Sequence, residues 1–148
     1  MAFFNSTNAN LAGWSWPEMK PIWSASQTPY FSCWDLKCSS KGCFAFAEYK
    51  GGVVIGDGAT GKILQEWQSN DAIRHLAFTP DGEHLITVDY ENRGGTIRIW
   101  NSSSGQLIRE FKTDARYCEA IDVSPDGKIL GVKADHCCLF WQLDALLK

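Results

Sequence analysis

The sequence predicts an all-β chain assembled from a repeating four-stranded antiparallel unit, and three observations carry that prediction. A tight-turn signal recurs as Ser39-Ser40-Lys41-Gly42, Thr79-Pro80-Asp81-Gly82 and Ser124-Pro125-Asp126-Gly127. Its glycines mark off a unit of about 40 to 45 residues. The residues leading into each turn alternate with the period of two that a strand requires, and helical periodicity is nowhere evident.

Each element of the unit then follows in order. Proline presets φ and glycine accepts a positive φ, so each turn joins two strands. The first strand holds Leu36 and Cys38, then Leu76 and Phe78, then Ile121 and Val123 in the three copies. After the turn come the apolar runs Cys43 to Ala47, His84 to Val88 and Ile129 to Val132, which read as more fully buried second strands. Third strands are Gly52 to Ile55, Thr96 to Trp100 and Cys138 to Trp141. A further turn leads to fourth strands at Ile63 to Trp67 and Leu107 to Phe111. A four-strand unit repeated at this period is the signature of a β-propeller blade.

The segment from Ile73 to Phe111 resembles a WD repeat, through Thr79-Pro80-Asp81-Gly82, Thr96-Ile97-Arg98-Ile99-Trp100-Asn101 and Gly105-Gln106-Leu107-Ile108. The resemblance extends over about residues 22–142 in three copies. Quinoprotein-like and surface-layer propellers share the Pro-Asp-Gly turn, and the Ile-Arg-Ile-Trp run favours the WD type. The family's Trp-Asp pair reads Gly56-Asp57, Trp100-Asn101 and Trp141-Gln142 here. Its Gly-His pair is absent from all three copies, so the family's hydrogen-bonded His, Ser/Thr, Asp and Trp tetrad is expected to be incomplete.

Matching the repeats divides the chain into an N-terminal extension (1–21), a spare fourth strand (22–27) and blades at 30–67, 73–111 and 117–142. The last blade lacks its fourth strand. The match sets Trp23 to Gln27 against Ile63 to Trp67. Three blades are too few for a ring that takes about four to eight. Two chains joined head to tail would close a six-bladed ring, each N-terminal strand completing the partner's third blade. An incomplete part of a larger multidomain WD-repeat protein is the alternative.

Composition narrows the function classes. The 148 residues are 45% hydrophobic and 21% charged, enough for a core and for solubility. A formal net charge of -3 argues against nucleic acid as partner. No apolar run approaches the roughly eighteen residues of a spanning helix, and the N-terminus has no basic n-region or apolar h-region. A cytoplasmic protein without a membrane partner is expected. Without a secretory signal, the acceptor tripeptides at Asn5 and Asn101 carry little weight.

Catalytic signals are thin, and no cofactor or metal is expected. Cys33, Cys38 and Cys43 recur every five residues, with Cys118, Cys137 and Cys138 far downstream. Neither group forms the C-x-x-C knuckle of a structural zinc site, so reduced thiols packed in strands are the expectation. His75, His84 and His136 fall in no metal-ligand spacing. Asp81 and Asp126 are explained by turn chemistry. Gly56 to Lys62 lacks the ending of a phosphate loop, because Ile63 follows the lysine. Trp67, Phe111, Trp100 and Trp141 read as packing between blades, whereas Trp14 and Trp16 cap an exposed blade face or dock a partner.

The resemblance therefore implies a non-catalytic protein-protein interaction scaffold with a protein or peptide partner, and the strand count adds self-association or association with other blades to close the ring. A small-molecule-binding or hydrolytic propeller enzyme is the alternative. Candidate binding residues lie in the loop before each first strand, at Tyr30, Arg74, Arg116 and Tyr117. Others lie between second and third strands, at Lys50, Tyr90, Glu91, Arg93, Asp135 and His136. Tyrosine and arginine rank first because they carry binding energy disproportionately.

Overall fold

A computed structural model describes residues 2–5, 10–26, 33–48, 51–69, 71–89, 95–114 and 117–148. Blade 1 is β4 (Cys33–Cys38), β5 (Cys43–Glu48), β6 (Gly52–Asp57) and β7 (Ile63–Gln68), paired in that order. Blade 2 repeats the arrangement with β8 (Ile73–Phe78), β9 (His84–Asp89), β10 (Thr96–Asn101) and β11 (Leu107–Lys112). Blade 3 holds β12 (Cys118–Val123), β13 (Ile129–Ala134) and β14 (Cys138–Gln142), followed by the single helical turn α1 (Leu143–Leu146). All pairing is antiparallel.

The turns form as their chemistry requires. Gly82 and Gly127 take φ of +67° and +71°, and their amides donate to the carbonyls of Thr79 and Ser124, each at 2.8 Å. Asp81 accepts from the Glu83 amide at 2.9 Å and from the Thr79 hydroxyl, and Asp126 does the same with Lys128 and Ser124. Those carboxylates are spent on the backbone.

The N-terminal segment departs from expectation. Residues 21–26 are not a spare strand, because β1 (Ala2–Asn5), β2 (Asn10–Trp14) and β3 (Pro21–Ser26) form a three-stranded sheet of their own. The edge of β3 that was to complete a partner's third blade is already paired with β2. Head-to-tail closure through that strand is therefore excluded in this arrangement. The repeat match hid β1 and β2 because no Pro-Asp-Gly turn precedes them. It was also displaced by two residues: Pro21 pairs with Trp14 as Ile63 pairs with Gly56, which puts Trp23 at the place of Gln65.

Three apolar clusters lie at three junctions between successive sheets. Leu11, Phe44, Phe46 and Val54 join the N-terminal sheet to blade 1, with Trp23 against them. Ile55, Leu76, Leu85 and Trp100 are among those joining blade 1 to blade 2. Ile86, Ile99, Val123 and Leu130 join blade 2 to blade 3. Each junction includes an aromatic pair from neighbouring sheets: Trp23 with Phe44, Trp67 with Trp100, and Phe111 with Trp141, at centroid distances of 5.8, 5.3 and 5.7 Å. The tryptophan of β10 and β14 is replaced by Gly56 in β6, where a Cβ would overlap the Phe44 ring. Blade 1 has moved its aromatic from the third strand to the facing position on the second.

Candidate interaction face

Antiparallel order places the starts of β4, β8 and β12 at the same end of the blades as the connections between second and third strands. Near that end each innermost strand carries a bulge. Pairing slips between Cys33 and Asp35, between Ile73 and His75, and between Cys118 and Ala120. One residue per blade is extruded: Trp34, Arg74 and Glu119. A bulge of this kind re-aims a side chain and breaks the strict alternation.

Two of the extruded residues interact across the blades and the third pairs within its own. The Arg74 guanidinium lies over the Trp34 ring, 4.1 Å from its centroid, a cation–π contact between β8 and β4. Trp34 remains 40% exposed. Glu119 pairs with Lys133 of β13. Beneath this row, Asp35 accepts from the Leu76 amide of the next blade at 3.1 Å and pairs with Lys37 at 3.3 Å. His75 Nδ1 lies 3.9 Å from Asp35. Burial pushes the His75 imidazole below its ordinary value, and the Asp35 charge acts in the opposite direction.

Blade 2 adds a charge cluster built on the buried Arg98 and Asp89. Arg98 of β10 donates to Asp71, Asp89 and Glu110, and Asp89 also accepts from the Thr96 amide at 2.7 Å. Asp89 is fully buried, and that burial raises its carboxyl even with Arg98 beside it. Burial opposes charge on Arg98 as well, yet Glu110 and Asp71 outweigh it and hold the guanidinium above its ordinary value. The cluster ties Asp71, in the connection ahead of β8, to the third strand. Blade 1 has Glu48 and Glu66 at the places of Asp89 and Glu110 but Val54 at the place of Arg98. Burial and the Glu66 charge push the Glu48 carboxyl up.

Trp100 Nε1 donates to Thr87 Oγ1 at 2.9 Å, which is half of the family's tetrad. Asp89 is engaged by arginine and a backbone amide rather than by histidine.

Of the candidates read from the sequence, Arg74, Tyr117, Asp135 and His136 are described. Arg74 belongs to β8 rather than to the loop before it, and it is the residue extruded at the bulge of that strand. Tyr117 adjoins β12 with a φ of +49°. His136 pairs with Asp135 at 3.1 Å in the β13–β14 connection. Tyr30, Lys50, Tyr90, Glu91, Arg93 and Arg116 lie outside the described residues. Trp34 and Glu119 were missed; the signal was the failure of the alternation through Leu36 and Cys38 to reach Cys33. Among the described residues, no group of three His, Cys, Asp or Glu side chains is placed to hold a metal, and no helix is long and apolar enough to cross a membrane.

The model for the anaphase-promoting complex subunit 4 WD40 domain matches residues 38–144, well over half of the chain. The chain belongs to this WD40 family. Around that WD40 match, an uncharacterized WD repeat-containing protein of Synechocystis sp. is 37% identical over 57 residues, covering 38% of this chain and 16% of the relative. The β-propeller domain of Myceliophteria thermophila Cps50 (Swd1) superposes with a TM-score of 0.76 at 14% identity, over 95% of this chain and 50% of that one. Kuenenia stuttgartiensis hydrazine synthase superposes with a TM-score of 0.68 at 20% identity, over 81% of this chain and 35% of that one. The chain thus spans half or less of each of these three proteins, and the likeness to the two structures is one of fold.

Proposed function

We propose that this WD40 chain is a non-catalytic interaction module that presents the row Trp34, Arg74 and Glu119 to a protein or peptide partner. The observation that carries the reading is the half-exposed Trp34 held under the Arg74 guanidinium by two bulges of adjacent innermost strands. Tryptophan and arginine are the residues most enriched among binding hot spots. Here they are mounted on strands rather than on mobile loops, so little order is lost on binding. Support for the non-catalytic part is the commitment of Asp81 and Asp126 to turns and of Asp89 to Arg98.

The described residues form four successive sheets, and we read the working form of the chain as a ring completed by further blades, from another chain or from a longer product. All six cysteines are unpaired thiols, which supports a reducing compartment such as the cytoplasm.

Affinity capture with quantitative mass spectrometry tests the interaction reading. Trp34→Ala and Arg74→Ala should each deplete the same proteins while leaving the circular-dichroism spectrum and melting temperature near those of the parent. Undiminished capture by the double variant would remove the basis for choosing this face.

A further inference from the structure

The outer edge of blade 3 differs from those of blades 1 and 2. There the third strands β6 and β10 are paired on both sides, with β7 and β11 outermost. β14 is a third strand that stands at the edge: among the described residues it pairs with β13 alone. The two ends of the chain do not cover it. β3 is held by β2. Past β14 the chain turns toward blade 2, where Arg109 of β11 donates to the carbonyls of Ala145 and Leu146 at 3.0 and 3.2 Å. Leu146 and Leu147 pack there against the cluster that contains Ile99 and Val123.

The main chain of that edge is oriented for pairing. The Ala134 amide donates to the Cys137 carbonyl at 2.9 Å and the Leu143 amide to the Lys128 carbonyl at 2.7 Å. With the register between them, the N–H and C=O groups of Leu139 and Trp141 face β13, and those of Cys138 and Phe140 face away from it. Proteins blunt such an edge with charge, proline or a bulge. Glu66 in β7, and Arg109, Glu110 and Lys112 in β11, are charges of that kind. β14 reads Cys-Leu-Phe-Trp-Gln, with no charge and no proline, and its register runs unbroken. Phe140 is 71% exposed, whereas its register counterparts Ile55 and Ile99 are buried.

We propose that β14 accepts an extended strand of a partner protein, antiparallel, as the fourth strand of blade 3. The fourth strands already in place give its chemistry. Gln65 and Arg109 lie opposite the counterparts of Phe140, and Trp67 and Phe111 opposite the counterparts of Cys138. Between the last two of blade 2, Glu110 accepts from Arg98, but Leu139 stands at the place of Arg98. The incoming segment therefore carries a long N–H donor, an apolar residue and an aromatic in succession. Backbone bonds give such a contact its affinity, and alternate side chains its specificity. A single strand satisfies the edge, so the inference holds whether or not further blades complete a ring. Trp34 and Arg74 lie on the innermost strands, at the other side of the sheets, so the two sites are tested apart.

The probe is a synthetic acetylated peptide of residues 105–113 carrying Glu110→Val, titrated into the full chain labelled with nitrogen-15 and read by amide hydrogen exchange. Saturable protection of about tenfold or more is expected at the amides of Cys138 and Phe140, with Leu139 and Trp141 unchanged. The same peptide methylated on the backbone nitrogens of residues 109 and 111 has no hydrogen to donate there and should protect neither. Phe140→Lys, at an exposed position that tolerates charge, should weaken the peptide by about tenfold. Absence of protection at Cys138 and Phe140 overturns the proposal. So do equal protection by the methylated peptide, which would mean side-chain contact alone, and protection confined to β10, which would mean exchange with β11. Affinity unchanged in Phe140→Lys overturns it as well.

Discussion

Gln65 Nε2 donates to the carbonyl oxygen of Ser103 at 2.7 Å, from the outer strand of one blade to the turn of the next. Arg109 does the same to Ala145 and Leu146, and Trp23 Nε1 to Gly58 at 3.0 Å. Trp23, Gln65 and Arg109 share one register position, opposite Gly13, Ile55 and Ile99. Three unlike side chains have in common an N–H donor of enough reach. Gln65→Ala should lower stability by about 1 kcal/mol, the net worth of one such bond, whereas Trp23→Ala, which also loses the ring against Phe44, should cost about 3 kcal/mol. Urea unfolding of the two variants reads both values, and equal costs would contradict the assignment.

Arg98 decides the pH dependence of blade 2. The Asp89 carboxyl is raised by burial, so its contribution to stability is complete below the unfolded value of about 3.9 and fades as pH rises through the folded one. Arg98→Met leaves that carboxylate buried without its cation and should cost about 3–5 kcal/mol at neutral pH. The deficit should shrink as the pH falls toward 4, visible as converging urea midpoints of variant and parent. A deficit constant with pH would mean that Arg98 acts through packing.

His75 behaves in the opposite sense. Its imidazole is depressed by burial, so its contribution is present above the unfolded value near 6.5 and is lost as pH falls through the folded one. Proton-detected imidazole titration should find His75 below its ordinary value. Asp35→Asn removes the charge that opposes the depression and should move it lower still; an upward movement would refute the arrangement.

Gly56 and Phe44 form a compensating pair. Gly56→Ala should cost about 1–3 kcal/mol by overpacking against the ring, and the cost should fall in a Phe44→Leu background that restores the residue type of Leu85 and Leu130. A double-mutant cycle measures the coupling; additivity would show that the ring does not exclude the side chain.

Thiol chemistry should divide by burial. Desolvation pushes Cys33 up to about 12 and raises Cys118 as well, whereas Cys38, Cys137 and Cys138 are exposed. Limited iodoacetamide labelling at mildly alkaline pH, read by peptide mass spectrometry, should modify the exposed three well before Cys33 and Cys118.

The repeat was legible because Pro-Asp-Gly turns and strand alternation are local. The N-terminal sheet was not, since β1 and β2 are joined to β3 by pairing and not by any shared motif. On the face, Arg74 could be named from residue type, but Trp34 could not. Its exposure comes from a bulge, and a bulge is a property of two paired strands rather than of one. The Arg98 cluster was hidden similarly, with partners at residues 71, 89 and 110 that converge only after the sheet has formed.

The donors Trp23, Gln65 and Arg109 all act forward along the chain, and this imposes an order in time. The acceptor of Gln65 is 38 residues downstream, a stretch that a ribosome takes roughly 2–8 s to add. During synthesis, the outer strand of the newest blade therefore waits for a contact that does not yet exist. Each blade is finished by its successor, and the growing end is at every moment the least settled part of the protein.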